Sequence, residues 1–164
     1  MIILGIDPGF GKLGYALIES DGNITRIIDC SCVETSGRES YEKRLMAVGN
    51  KTKNLISKHK PKAIAFEKVF FAKNQKTAME IAEVRGVLRY LAALAKTPVR
   101  EYTPLEVKMA LTGYGRAPKE QVQKMLKLLL KIKSLPKSDD ACDALAIGIT
   151  CAVCLANSRL ANKL

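Results

Sequence analysis

Short apolar runs alternate with helical patterns along this chain, and their order points to one architecture. "MIILGID" (1–7) is an apolar run closed by "PGFG", which reads as a buried strand entering a tight turn. "LGYALIES" and "ITRIIDCSCVET" flank "DGN", a hairpin turn signal. Residues 41–59 read as a helix with Leu45, Val48, Leu55 and Ile56 on one side. "PKAIAFE" is a second short apolar strand, ending in Glu67, and "PVREYT" is another. Helices are predicted over 75–96, 104–112, 119–133 and 139–156. Three strands followed by helices alternating with two more strands predict an α/β sheet covered on both faces. At 164 residues the chain is expected to form a single domain, 1–164, with 157–164 as a disordered tail.

The charge balance narrows the partner. Twenty-seven Lys and Arg against 16 Asp and Glu give a net charge of +11, which suits a polyanion: nucleic acid or an anionic membrane face. "MIILGI" is too short for the core of an export signal, and the run 141–156, broken by Asp143 and Thr150, falls short of a membrane span, so a cytoplasmic location is expected. The five cysteines fit a reduced compartment. Cys30 and Cys32 share a strand face. Cys151 and Cys154 read as small core residues rather than a zinc pair. His59, in "KHK", reads as a solvated helix end.

The 75–96 helix carries two apolar stripes. Ile81, Val84, Leu88, Leu91 and Ala95 form one, suited to covering the sheet. Met79, Ala82, Gly86, Tyr90 and Ala93 form a second, whose small residues permit close helix approach. That stripe fits either another helix of the same chain or a second copy of the chain.

Four carboxylates stand out against the basic background. Asp7 and Glu67 each end an apolar strand, and strand ends are where sites form in open α/β sheets. Asp140 and Asp143 stand at i, i+3 on one face of the last helix. Asp139 or Asp140 also suits an N-cap. Asp143, flanked by Ala141, Cys142, Ala144 and Leu145, is expected to be shielded from water and so to need a partner. Two carboxylates ~5 Å apart repel by roughly 3 kcal/mol at an effective dielectric of ~20, so four that meet require a cation. Oxygen ligands alone select Mg2+ or Mn2+ over zinc.

These residues carry a resemblance. "GIDPG" with "GYAL", "FEKVFFAKN", "VKMALTGYGRAPKEQVQ" and "DACDALAI" occur in order between about residues 2 and 155, and the chain resembles the RuvC-type Holliday junction resolvases. The resemblance implies a ribonuclease H-like fold with a five-stranded mixed sheet flanked by helices. It implies a homodimer that resolves four-way junctions by paired symmetric nicks, using Mg2+ (with Mn2+ able to substitute), two ions per site. A branch-migration motor complex is a further expected partner. The family's acidic tetrad falls on Asp7, Glu67, Asp140 and Asp143, as metal ligands and catalytic residues. Lys68 stands where a neutral polar residue is expected, which bears on the electrostatics of Glu67.

DNA-binding candidates follow. Phe70 and Phe71 lie in a polar loop with Lys73, and an aromatic there can stack on an unpaired base. The resemblance assigns that role to Phe70. "TGYGRAPKE" is a glycine turn between helices and not a P-loop, since no Gly-Lys-Ser/Thr follows. Arg116 and Lys119 near a helix N-terminus can hold a phosphate. Lys108 and Lys119 match basic positions the family uses near DNA. Two other readings compete. "DPGFGKLG" also resembles the first phosphate loop of actin-like ATPases, but no second Asp-x-Gly loop follows and 164 residues cannot make two lobes. A non-catalytic nucleic-acid-binding module would explain the charge but not Asp143.

Overall fold

The structure, a computed structural model, describes residues 1–22, 24–68 and 75–161, with the side chains at 75–77 and 159–161 left out. Among the described residues five strands form one mixed sheet. They are β1 (Ile2–Asp7), β2 (Lys12–Ser20), β3 (Thr25–Glu34), β4 (Ala63–Glu67) and β5 (Val99–Tyr102). The helices are α1 (Tyr41–His59), α2 (Gln75–Leu94), α3 (Pro104–Thr112), α4 (Lys119–Leu130) and α5 (Asp139–Ala161). The sheet order is β3-β2-β1-β4-β5, antiparallel among the first three and parallel from β1 to β5. The hairpin and the two later strands therefore pair as the turn and crossover patterns predict.

Strand parity sorts the core into two layers. Leu4, Ile6, Leu17, Ile64 and Phe66 pack with Val48, Leu55, Val84, Leu88 and Ala92 of α1 and α2. Ile3, Ala16, Ile18, Ala63 and Ala65 pack on the other face with α3, α4 and α5. By the same parity Asp7 and Glu67, two residues beyond Gly5 and Ala65, belong to the α5 face.

Glycines set how closely α5 lies on the sheet. A Cβ on Gly14 would sit 2.0 Å from the Asp140 carbonyl oxygen, and one on Gly5 would sit 2.2 Å from that of Ala144. Helix backbone thus rests on strand backbone at positions 140 and 144, one turn apart on the helix. Gly14 is also the register partner of Asp7, so Asp140 is delivered beside the end of β1.

Three expectations change. The Asp139–Ser158 stretch is long and apolar enough to pass for a membrane span, but it serves as the core helix and is 61% buried inside the protein. The expected tail is helical as far as Ala161, because no Gly or Pro interrupts residues 157–161; Ser158 Oγ donates back to the Cys154 carbonyl at 2.9 Å. Residues 162–164 lie outside the described residues. On α2 the buried stripe is Val84, Leu88 and Ala92. Ala95 lies past the helix end and is exposed, and Leu91 is only half-buried, because an inward face advances by 3.6 residues per turn.

Candidate active site

Ser138, rather than either aspartate, caps α5. Its Oγ accepts from the Ala141 N–H at 3.4 Å, and its carbonyl takes the first helical bond from Cys142. The same hydroxyl donates to Asp140 Oδ2 at 3.1 Å, and Cys32 Sγ lies 3.8 Å from that oxygen. Asp139 turns instead to Lys119, at 3.1 Å. The expected cap was Asp139 or Asp140. The hydroxyl caps instead because the Asp139 carboxylate is held by Lys119 and that of Asp140 accepts from Ser138.

The four expected carboxylates lie near enough for the other three to act on the charge of Asp7. Burial raises the Asp7 carboxyl to about 7, and the charges of Asp143, Glu67 and Asp140 push in the same direction, with Lys119 opposing. Burial and then Asp143 raise Glu67, tempered by the Arg85 guanidinium. Burial also raises Asp143, with Lys119 opposing and Asp139 and Asp140 reinforcing. Lys68 is exposed, and the cation acting on Glu67 is Arg85, from α2. Asp143 is only partly shielded, less than its neighbours suggested. Ala141, Cys142, Ala144 and Leu145 are buried, but Asp143 leaves the packed faces of the helix and opens into a cleft.

That cleft holds about 290 Å³ and is lined by Glu67 and Asp143 together with Lys108 and Lys119, over an apolar floor that includes Val107 and Ile147. Acids and lysines from four elements therefore share one opening. Thr103 begins α3 with a reciprocal capping box to Glu106, and Gly113, at φ 73°, ends it, which fixes the helix that carries Lys108. Arg116, in the turn before α4, is exposed and does not line the cleft. Phe70, Phe71 and Lys73 lie outside the described residues.

The donor set fits a hard divalent cation: all oxygen, anionic, and at Asp7, Glu67 and Asp143 disfavoured in the charged form when left alone. Glu67 and Asp143 line the cleft, Asp7 and Asp140 lie behind its lining, and the four do not converge on a point. Among the described residues no three Asp, Glu, His or Cys side chains stand close enough to hold an ion as they are. The cysteines do not compete for that role. All five are free, burial raises the Cys30 thiol to about 12, and Cys151 sits in the core.

The second stripe of α2 is exposed along its length. Met79 and Tyr90 are 66% and 63% accessible, Ala82, Gly86 and Ala93 are exposed, and a Cβ on Gly86 would meet nothing within 4 Å. It borders a groove of about 460 Å³ between α1 and α2. No helix of the same chain covers the stripe among the described residues.

An open mixed sheet ordered 3-2-1-4-5, with acids at two adjacent strand ends and on the helix crossing them, defines a ribonuclease H-like nuclease. The family model for crossover junction endodeoxyribonuclease RuvC matches residues 3–151. Crossover junction endodeoxyribonuclease RuvC of Petrotoga mobilis is 45% identical over 163 residues, covering 99% of this chain and 98% of its own. That of Halothermothrix orenii is 46% identical over 163 residues, 99% of this chain and 96% of its own. Thermus thermophilus RuvC, solved in complex with Holliday junction substrate, superposes with a TM-score of 0.92 at 31% identity over 96% of both chains. The chain belongs to the RuvC family of crossover junction endodeoxyribonucleases, whose nucleases use divalent metal. Membership sets aside the ATPase and non-catalytic readings.

Proposed function

We propose that this chain resolves four-way DNA junctions as a homodimer, each protomer nicking one strand at the cleft between the end of β4 and α3, α4 and α5. The observation that carries the reading is a cleft where Glu67 and Asp143 open beside Lys108 and Lys119, with Asp7 and Asp140 near enough for their charges to act on one another. Asp7, Glu67, Asp140 and Asp143 would hold Mg2+, or Mn2+ in its place, as two ions per site. When bound, such ions supply an activated water and stabilise the leaving oxygen of a phosphodiester.

The protein's own part is binding and alignment. Lys108 and Lys119 draw the phosphate to the cleft mouth, where their charge offsets the repulsion between phosphate and carboxylates. The Asp139 carboxylate holds Lys119 at that edge. Ser138 orients Asp140, and the two sheet glycines set the depth of α5. Arg116 remains a phosphate contact, Phe71 and Lys73 are further DNA contacts, and Phe70 stacks on an opened base at the crossover. The exposed α2 stripe is the dimer seam, which fits a substrate of approximate two-fold symmetry. A branch-migration motor is the further partner. Five free thiols suit work in the cytoplasm.

The test compares a synthetic four-way junction with linear duplex of the same sequence, with and without Mg2+. Paired nicks in the junction, dependent on metal, are expected. Equal cutting of duplex, or cutting in chelator, would contradict the reading.

A further inference from the structure

The described site leaves unexplained a cluster on the other side of the sheet. Arg85 of α2 is half-buried behind the end of β4. One nitrogen of its guanidinium donates to the backbone carbonyl of Glu67 and another to Glu101 Oε1 of β5. Its plane lies over the ring of Phe66, 5.0 Å from the centroid. Arg89, one turn on, donates to Glu101 Oε2 at 2.7 Å and lies 5.6 Å from the same ring. Glu101 is the register partner of Phe66, so the bracket ties β4 and β5 together where both strands end.

Packing alone does not call for this arrangement. A half-buried ion pair is costly to desolvate, and an apolar side chain would cover Phe66 as well. A guanidinium differs in holding two acceptors on separate strands at once in a rigid plane. One of those acceptors belongs to the residue whose side chain enters the cleft.

We propose that Arg85 is a positioning residue for Glu67, fixing the end of β4 from the α2 side so that the carboxylate meets Asp7 and Asp143. The inference rests on the metal-dependent reading of the cleft. Arg89 provides the internal control, because it shares Glu101 and Phe66 with Arg85 but makes no hydrogen bond to Glu67.

The experiment compares Arg85→Lys, Arg89→Lys and the parent. Lysine keeps the charge but cannot span both acceptors. Three quantities are measured: junction affinity in chelator, Mn2+ affinity by calorimetry without DNA, and single-turnover cleavage with protein in excess. Arg85→Lys is expected to bind the junction like the parent, to bind Mn2+ more weakly, and to cleave roughly 10–100-fold more slowly, the scale of an ångström-level misplacement. Arg89→Lys should keep parental Mn2+ affinity and rate, even where its melting temperature falls as far. Should Arg85→Lys fail to fold, Glu101→Gln, which loosens the Arg85 anchor, takes its place with the same pattern at smaller amplitude. Parental Mn2+ affinity and rate in the Arg85 or Glu101 variant would overturn the proposal, as would equal losses in the Arg89 variant. Failure of the junction reading would look different: the parent would cut linear duplex as fast as the junction, while the Mn2+ comparison would still decide the role of Arg85.

Discussion

Replacing Gly14 with alanine tests how the site is assembled. The new methyl would stand 2.0 Å from the Asp140 carbonyl oxygen and 2.4 Å from its carbon, both backbone atoms that no rotamer change can move. Relaxing a 2.0 Å approach to an ordinary 3.4 Å contact requires the first turn of α5 to retreat by about 1.4 Å. Overpacking of this kind costs ~1–3 kcal/mol, or a melting temperature lower by ~3–10 °C for a chain of this size. The functional cost is larger, because the retreat carries Asp140 away from Asp7, and an ångström of misplacement costs roughly 10²-fold in rate. Lys108 and Lys119 sit on other helices, so junction binding should persist. Gly148→Ala is the control. Its methyl would meet Ile18 Cδ1 at an ordinary 3.5 Å, and alanine in a helix interior stabilises by ~0.5–1 kcal/mol. Gly14→Ala with parental melting temperature and cleavage rate would refute the seating of α5 on β2.

Other outcomes follow from the same geometry. The Asp7 carboxyl rises from 3.8 in the unfolded chain to about 7 in the fold, so the native state holds the extra proton between those values. Its stabilising contribution is complete below about pH 4 and is lost as pH rises through 7, by up to ~4 kcal/mol. Metal-free Asp7→Asn should therefore show a smaller fall in melting temperature between pH 5 and 8 than the parent while losing all cleavage; identical slopes would contradict the burial of Asp7. Lys119→Ala should weaken junction binding and flatten the slope of log K against log salt by about one, and unchanged slope and affinity would remove it from the interface. Gly86→Glu should sediment as a monomer with intact metal binding and no paired incision. A dimeric variant, or a monomeric parent at micromolar concentration, would move the seam elsewhere.

Much of the scaffold was legible because period and punctuation agree. Strand runs end in Asp7 and Glu67, and the i, i+3 spacing puts Asp140 and Asp143 on one helix face. Both α2 stripes show in the 3.6-residue pattern, although the inward one is shifted to include Ala92. The remainder depended on partners distant in sequence. Gly14 matters only because Asp140 lies on it, and the role of Arg85 requires that β4 and β5 end side by side beneath α2. Asp143 is less shielded than its neighbours imply, though burial still raises its carboxyl. Helical neighbours point in other directions, so buried residues on either side do not bury the residue between them. That Ser138 rather than Asp139 caps α5 depends on Lys119, which holds Asp139 from another helix.

The central claim is that four carboxylates act as one site, and Asp143 tests it hardest because it is the most exposed of them. The measurement is single-turnover nicking of an end-labelled four-way junction by Asp143→Asn in Mg2+, with protein in excess and junction binding measured in parallel. The account predicts parental binding with no detectable nicks; nicking at the parental rate would contradict it.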